Sequence, residues 1–388
     1  MTSSTSAQHL AHIVKPQPLY PNKSLLPSKP VIVAPTPVVA GSGSQQQQQQ
    51  QPAAAQEKPQ AKSVAQSMLE RYKLLPEFES KYIVGDELGS GGFGFVVTAI
   101  RVEDQVEVAV KFIFKDKVPV HSLVKDPVLG VIPMEVYILK NMRHPNIIGF
   151  HDFFTDKRFY YLVMELHGVP WKKNMDPTAM RSQSAQPPQV HRSTSESAVT
   201  GRPPVLGKRH SMDLFECIEA NSRLSEDIAR KIFGQVVSAV HYLDSYRIVH
   251  RDIKDENIVV DQHFNVKIID FGSALMVPSN GRLFDRFAGT LQYCPPEVLQ
   301  GHKYRGPEQE VWALGILLYT IMFSGAPFAN VSQVLNAEVP IPKYSRGPNA
   351  GKPRASEEVI HLLRWMLRKS PSDRANIEQV LTHPWLAK

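Results

Sequence analysis

The sequence predicts an α+β chain of two lobes, a small β-rich lobe followed by a larger helical one. In the first half, apolar residues occur in short β-branched and aromatic runs, whereas later they repeat at helical spacing over long stretches. The clearest strand patterns are 95–100 and 107–111, and the clearest helical patterns are 134–142, 225–245 and 311–323. A segment rich in Pro and Ser, 168–210, separates the two patterns. We expect a ligand between the lobes because pockets favour domain boundaries.

Residues 1–78 are predicted to be a mostly disordered tail. Pro, Ser, Ala and Gln dominate its first part, which includes an unbroken glutamine run from Gln45 to Gln51. One helix is predicted at 64–75, with Pro76 expected to end it and with its apolar residues docked on the folded part. We assign the folded domain to 79–386, divided into an N-lobe at 79–167, an insert at 168–210 and a C-lobe at 211–386.

The net charge of +7 is concentrated in the insert 168–210, which holds seven Lys or Arg against two acidic residues. A basic segment of this composition lacks the aromatic surface that single-stranded nucleic acids require, so we expect no nucleic-acid partner. The insert is either an inert insertion or a loop that influences the mouth of the cleft, and the sequence leaves both open.

Neither a membrane span nor a disulfide framework is predicted. The apolar piece 31–40 contains Pro35 and Pro37 and is too short to span a bilayer, and the N-terminus lacks a secretory pattern. Cys217 and Cys294 are too few for a framework and lack metal-ligand spacing, so we expect reduced, partly buried thiols. We expect a monomer, without a membrane partner, in the cytoplasm or the nucleus.

The segment from Gly89 to Val96 fits the pattern G-x-G-x-x-G-x-V. Its glycines also fit a dinucleotide-binding loop, but there the last glycine opens a helix, whereas β-branched and aromatic residues follow Gly94. A hairpin is therefore predicted, whose bare backbone can approach phosphate oxygens, although a glycine-rich turn without a ligand remains the alternative. The residues assigned to this loop are Gly89, Ser90, Gly91, Gly92, Phe93, Gly94 and Val96.

A lysine is predicted to face the cleft beside this loop. Strand alternation in Val108-Ala109-Val110-Lys111 places Ala109 and Lys111 on one face and the two valines on the other. Because a bare charge among apolar residues is costly, Lys111 is expected to have a carboxylate partner, and Glu135 in the predicted helix 134–142 is the candidate. An ordinary surface ion pair is the alternative.

The most informative run is His250-Arg251-Asp252-Ile253-Lys254-Asp255-Glu256-Asn257, followed thirteen residues after Asn257 by Asp270-Phe271-Gly272. It resembles the H-R-D-x-x-x-x-N loop and D-F-G site of protein kinases. The resemblance implies that Asp252 is the catalytic base and that Lys254 offsets charge on the transferred phosphoryl group. It also implies that Asn257 and Asp270 bind Mg²⁺, and that Lys111 holds the ATP phosphates and pairs with Glu135.

From about Tyr82 to Trp385 the chain resembles eukaryotic serine/threonine protein kinases, with Pro295-Pro296-Glu297 in the A-P-E position and Arg374 as its expected ion-pair partner. The strings 162–168, 252–259 and 304–308 are most similar to PAS-domain kinases and next to Pim kinases, both of the calmodulin-kinase-like group. No PAS domain is recognisable here. The resemblance implies the bilobal protein-kinase fold, ATP and Mg²⁺ as cofactors, and protein substrates. It also makes Met164 the gatekeeper, Glu165 and Leu166 the adenine-binding hinge, and Asp213 a residue facing ribose or substrate.

Two positions depart from the family pattern. Arg286 stands where the activating threonine is usual, so no phosphate can pair there with Arg251, and Asp285 is expected to take its place. We therefore predict activity without phosphorylation of the activation loop. Glu310 replaces the usual aspartate, which we do not expect to inactivate the enzyme.

The acidic residues Asp213, Glu216, Glu256 and Glu308 predict substrates with Arg or Lys upstream of the target Ser or Thr, unless these carboxylates only form a solvated face. Two other functions would give different sequence patterns. A pseudokinase scaffold predicts the loss of Lys111, Asp252, Asn257 or Asp270, all of which are present. A small-molecule kinase is not favoured, because residues 289–297 resemble a platform for protein substrates.

Overall fold

The computed structural model describes residues 62–168, 212–221, 224–342 and 355–387. The predictions for residues 1–61 and for nearly all of the insert lie outside these ranges. The strands are β1 (Tyr82–Gly91), β2 (Gly94–Arg101), β3 (Glu107–Phe114), β4 (Leu123–Asp126), β5 (Gly130–Pro133), β6 (Phe150–Thr155), β7 (Phe159–Glu165), β8 (Ile248–Val249), β9 (Ile258–Val260), β10 (Val266–Ile268) and β11 (Leu275–Met276). The α-helices are α1 (Val64–Leu69), α2 (Pro76–Glu79), α3 (Met134–Asn141), α4 (Leu214–Asn221), α5 (Glu226–Ser245), α6 (Pro296–Leu299), α7 (Gly306–Phe323), α8 (Val331–Asn336), α9 (Glu357–Met366) and α10 (Ile377–Leu381).

The N-lobe is built on a five-stranded antiparallel sheet in the order β1-β2-β3-β7-β6. The side chains of β3 alternate between the two faces of the sheet, as predicted. Ala109 and Lys111 line the cleft, whereas Val108 and Val110 are fully buried in a separate apolar cluster on the other face. The strand after Gly94 confirms that the glycine-rich segment is a hairpin between β1 and β2.

The predicted helix 64–75 is wrong in its extent. Helix α1 ends at Leu69, and Pro76 occupies the first turn of the separate helix α2 instead of ending a helix. The physical reason is that the residue before a proline is driven into extended backbone, as Leu75 is, whereas proline itself fits the first helical position. The docking of this segment is confirmed, because Ala65 and Phe78 are fully buried against the sheet.

The C-lobe is helical, as the sequence predicts. Helix α5 begins after Ser225, whose hydroxyl accepts from Ile228 N at 3.3 Å and so caps the helix. Helix α7 begins at Gly306, earlier than the predicted Val311, because Pro307 fits its first turn. Trp312 and Trp385 are fully buried in the core. Both cysteines are free and buried, and within the described ranges no helix has the length and hydropathy that a membrane span needs.

Candidate active site

A cavity of about 670 Å³ lies between the two lobes. The predicted site residues among its lining are Gly89, Ser90, Gly91, Gly92, Phe93, Gly94, Val96, Ala109, Lys111, Glu135, Glu165, Leu166, Asp213, Asp252, Asn257 and Asp270. Lys254 lies beside the cavity, with its Nζ 3.9 Å from Asp252 Oδ2. The fold therefore brings together residues that are more than 150 positions apart in the sequence.

Lys111 is the centre of a three-membered charge cluster. Its ammonium is 2.7 Å from Glu135 Oε1 and 2.8 Å from Asp270 Oδ1. Burial alone would lower the pKa of Lys111, but the negative charges of Asp270 and Glu135 outweigh burial and raise it. The lysine charge in turn lowers the pKa of Asp270 to about 2. Both groups are therefore ionised at neutral pH, as a phosphate-binding cation and a metal-binding carboxylate must be.

Asp252 is oriented by three hydrogen bonds from two neighbours. Its Oδ1 accepts hydrogen bonds from the backbone N–H and the hydroxyl of Thr290, both at 2.9 Å. Its Oδ2 accepts from Asn257 Nδ2 at 3.0 Å. These bonds fix the carboxylate at the mouth of the cleft, where a substrate hydroxyl would be deprotonated.

The backbone around Asp252 is held from behind by Glu310. Oε1 of Glu310 accepts from the N–H groups of His250 and Arg251 at 2.8 and 2.9 Å. Arg251 adopts the left-handed region, with φ of 68°, which for a bulky residue persists only where neighbours enforce it. The glutamate at position 310, where kinases usually have aspartate, thus accepts hydrogen bonds from both backbone N–H groups. The catalytic loop is therefore ordered with glutamate at this position.

The donor set suits magnesium. Asn257 uses Nδ2 to donate to Asp252 O and Oδ2, so its Oδ1 is the atom that would coordinate a metal, and Asp270 adds an ionised carboxylate. Within the described residues there is no group of three His, Cys, Asp or Glu that would hold a metal by itself. Mg²⁺ commonly takes few protein ligands together with phosphate oxygens and water, so two hard oxygen ligands beside a phosphate site fit it.

The glycines of the phosphate loop have two different roles. A Cβ added at Gly89, Gly91 or Gly92 would meet nothing within 4 Å, whereas one at Gly94 would lie 2.0 Å from Phe112 O. Gly94 therefore allows β2 to pack against β3, and only the outer three glycines keep space open for a ligand. Gly94 also lines the cavity, and its part in phosphate approach stays a prediction.

The hinge is tethered from outside the cavity. Glu165 N donates to Gly149 O at 2.8 Å, so the hydrogen-bonding group that Glu165 can still offer a nucleotide is its carbonyl. Its carboxylate turns away from the cavity, where it accepts from Gly149 N and pairs with Lys267, both at 3.1 Å.

The prediction that Asp285 neutralises Arg251 is wrong. The guanidinium of Arg251 donates to the carbonyl of Arg286 at 2.6 Å and to the hydroxyl of Tyr304 at 3.1 Å, and it stacks over the Phe284 ring. Neutral acceptors and an aromatic face therefore hold this arginine. By contrast the predicted pair of Glu297 and Arg374 is confirmed, with two bonds of 2.9 and 3.0 Å in the C-lobe interior.

Sequence reasoning missed the apolar walls of the cavity. These residues are Leu88, Met212, Val259 and Ile269. Leu88 could have been predicted, because it directly precedes the glycine-rich motif. The others lie on elements whose facing could be known only once the two lobes were placed together.

Comparison with known proteins agrees with this geometry. The chain matches the protein kinase domain family over residues 82–184 and 205–386. It is 39% identical over 312 residues to the mouse (Mus musculus) PAS domain-containing serine/threonine-protein kinase, which covers 80% of this chain and 19% of that protein. It is 33% identical to serine/threonine-protein kinase PSK2 of Saccharomyces cerevisiae, over 84% of this chain and 25% of that protein.

The chain therefore spans a quarter or less of these two longer relatives. A shorter relative, serine/threonine-protein kinase pim-2 of Danio rerio, is 31% identical over 80% of this chain and 86% of its own length. A cleft with a paired lysine, a fixed aspartate and two side chains suited to magnesium is thus found in a chain whose sequence matches kinase domains over most of its length. The chain belongs to the protein kinase domain family, and its relatives include serine/threonine kinases of the PAS-domain and Pim types.

Proposed function

We propose that this chain is an active serine/threonine protein kinase that uses ATP and Mg²⁺ and does not need phosphorylation of its activation loop. The observation that carries the proposal is the placement of Lys111, Asp252, Asn257 and Asp270 around one cavity, each with the neighbour that its role requires. A scaffold without turnover would need none of the bonds that orient Asp252.

The chain's own residues have separable tasks in this mechanism. Lys111, held by Glu135, binds the α and β phosphates, and the open backbone at Gly89, Gly91 and Gly92 covers them. Asp252 accepts the proton of the substrate hydroxyl as it attacks the γ-phosphorus in line, and the bond from the γ-phosphorus to the β–γ bridging oxygen breaks so that ADP leaves. Lys254, close to Asp252, offsets charge on the transferred group.

Asn257 and Asp270 would hold Mg²⁺. When bound, Mg²⁺ neutralises the phosphate oxygens and orients them for transfer.

Independence from loop phosphorylation is supported by two tethers between the catalytic loop and the activation segment. Thr290 donates twice to Asp252, and the buried hydroxyl of Tyr293 donates to Asp255 Oδ1 at 3.0 Å. Arg251, which elsewhere would await a phosphate, is already engaged by Arg286 O and Tyr304. The substrate platform is therefore held by bonds that need no added charge.

A preference for basic substrates is supported by acidic groups on the substrate side. Glu256 is 58% exposed and pairs with Lys254 at 2.6 Å, so it lies within reach of a peptide bound at Asp252. Glu308 Oε2 is buried without a hydrogen-bond partner among the described residues. Asp213 lines the cavity and accepts from Glu216 N at 2.9 Å, which caps α4. A monomeric state and a cytoplasmic or nuclear location remain predictions of the sequence.

The test is a peptide-array assay on phosphatase-treated protein made in bacteria, with Asp252→Asn as the matched control. We expect the wild type to phosphorylate Ser and Thr peptides that carry upstream Arg more than matched peptides with Gln there, and the variant to be inactive. Loss of turnover after phosphatase treatment would contradict independence from phosphorylation. Equal use of the two peptide series would contradict the basic preference.

A further inference from the structure

Both faces of the N-lobe sheet are apolar, and the face turned away from the nucleotide cavity carries many aromatic side chains. We call it the outer face, and its buried members are Phe95, Val97, Ala99, Val108, Val110, Phe112, Phe154, Phe159, Tyr161 and Val163. An apolar sheet face of this size requires a covering element. In this chain the cover is its own segment 62–79, which we call the strap.

The strap is packed on the outer face by specific contacts. Phe78 is fully buried, and its ring contacts those of Tyr82, Phe112, Phe154 and Tyr161 at centroid distances of 5.1 to 6.1 Å. These are edge and stacked geometries of the kind that add to area burial.

The middle of the strap is fixed by Tyr72. The ring of Tyr72 packs edge-on against Phe159 at 5.1 Å, and its hydroxyl donates to Asp156 Oδ2 at 2.9 Å. The guanidinium of Arg158 lies over both of these rings. The strap is therefore bound along its length.

One contact joins the strap to the glycine-rich strand itself. Ala65 N, in the first turn of α1, donates to Glu87 Oε2 at 2.7 Å. Ala65 is fully buried and Glu87 is 2% exposed, so this bond is shielded from water. Burying a carboxyl group costs free energy unless the group is hydrogen-bonded, and Ala65 N supplies such a bond to Glu87.

Glu87 lies at an irregularity of β1, directly before the cavity. The pairing of β1 with β2 shifts on either side of Glu87, and Leu88 and Gly89 then line the cavity. A bulge of this kind redirects the strand that follows it. The direction in which the glycine-rich loop leaves the sheet is therefore set at the residue that the strap holds.

We propose that the strap is a positioning element of the nucleotide site and that Glu87 is the residue through which it acts. The inference rests on the proposed function only in taking the cavity as the site for ATP. It assigns to residues before the matched family region a part in nucleotide affinity, with no contact between strap and nucleotide.

The experiment measures equilibrium binding of Mg·ATP to the full chain, so that it does not depend on turnover. We expect Glu87→Ala to weaken ATP binding about fivefold or more, since it removes the acceptor of a short, buried hydrogen bond and leaves Ala65 N unsatisfied. We expect Glu87→Gln, whose amide oxygen can still accept from Ala65 N, to stay within about twofold of the wild type. The equilibrium dissociation constant for the peptide should change less than about twofold in both variants, because the substrate platform lies in the other lobe.

A second matched pair tests the strap from its own side. Ala65→Asp places a carboxylate beside buried Glu87 and should release the strap, seen as faster amide exchange over 64–79, with the same loss of ATP affinity. Val64→Asp, one residue earlier and 38% exposed, should leave both unchanged. If the Ala65→Asp variant does not fold, the comparison of Glu87→Ala with Glu87→Gln tests the proposal without it.

ATP affinity that stays at the wild-type level in Glu87→Ala, or that falls equally in Glu87→Ala and Glu87→Gln, would overturn the inference. A wild-type chain that binds ATP without transferring phosphate would contradict the proposed function and leave this test intact.

Discussion

The catalytic loop and the glycine-rich loop face the same cavity but are held in opposite ways. Around Asp252, the backbone is fixed by buried Glu310 and the carboxylate by Thr290 and Asn257. The tip of the glycine-rich loop has open space around its outer glycines, and Phe93 there is 59% exposed. The groups proposed to perform proton transfer are thus set in advance, whereas the loop proposed to cover the phosphates has open space in which to move.

The largest predicted effect concerns Glu310, and its absence would contradict this comparison of the two loops. Its complete burial raises the pKa of its carboxyl to about 7, with Asp244 adding to the rise and the N–H groups and charge of Arg251 opposing it. The folded state then binds a proton more tightly than the unfolded chain, so stability is lost as pH rises through about 7. Relative to Glu310→Gln, the wild type should lose up to roughly 3 kcal/mol of unfolding free energy between pH 5 and pH 8.

Denaturant unfolding of both proteins across that pH range measures this difference. The side chain of the variant does not titrate and can still accept from His250 N and Arg251 N. Parallel pH profiles would show that Glu310 is already ionised in the folded chain and that its burial is not what holds the loop.

A smaller effect separates the two kinds of glycine within one motif. Gly94→Ala should destabilise the protein by about 2 kcal/mol or more, because its Cβ would collide with Phe112 O in the sheet. Gly91→Ala should change stability by less than about 0.5 kcal/mol while weakening ATP binding. Thermal unfolding together with ATP titration of both variants measures this, and equal loss of stability would mean that the loop tip is also tightly packed.

The smallest predicted effect sharpens the account of the catalytic loop. Thr290→Val removes the hydroxyl bond to Asp252 and keeps the side-chain volume and the backbone bond. We expect turnover to fall about tenfold, with ATP affinity unchanged, since about 1.4 kcal/mol corresponds to one such bond. Steady-state kinetics with varied ATP and varied peptide separates the two constants, and a change confined to ATP would contradict the role of Thr290.

Much of the site could be predicted from local spacing. Strand alternation placed Lys111 toward the cleft, and the run from His250 to Asn257 carries its own geometry because its residues share one loop. Arg251 could not be placed in this way. Its partners Phe284, Arg286 and Tyr304 come from segments far from Arg251 in the sequence. The charge of Asp285 was a poor guide, because the groups that hold Arg251 are the ring and the carbonyl of the residues on either side of it.

The strap shows the same limit in the N-lobe. Helical periodicity identified the apolar residues of the strap. It could not distinguish one helix over 64–75 from the two short helices α1 and α2, which are separated by extended backbone at Leu75 before Pro76. The packing of the strap on the aromatic outer face could be recognised only in the folded structure.

The most direct test of the central claim is single-turnover transfer from labelled Mg·ATP to a serine peptide by the wild type and by Asp252→Asn, both saturated with nucleotide. We predict stoichiometric phosphoserine from the wild type, and a rate about a thousandfold lower in the variant at equal ATP occupancy. Equal rates in the two proteins, or ATP bound by the wild type without any transfer, would contradict the account.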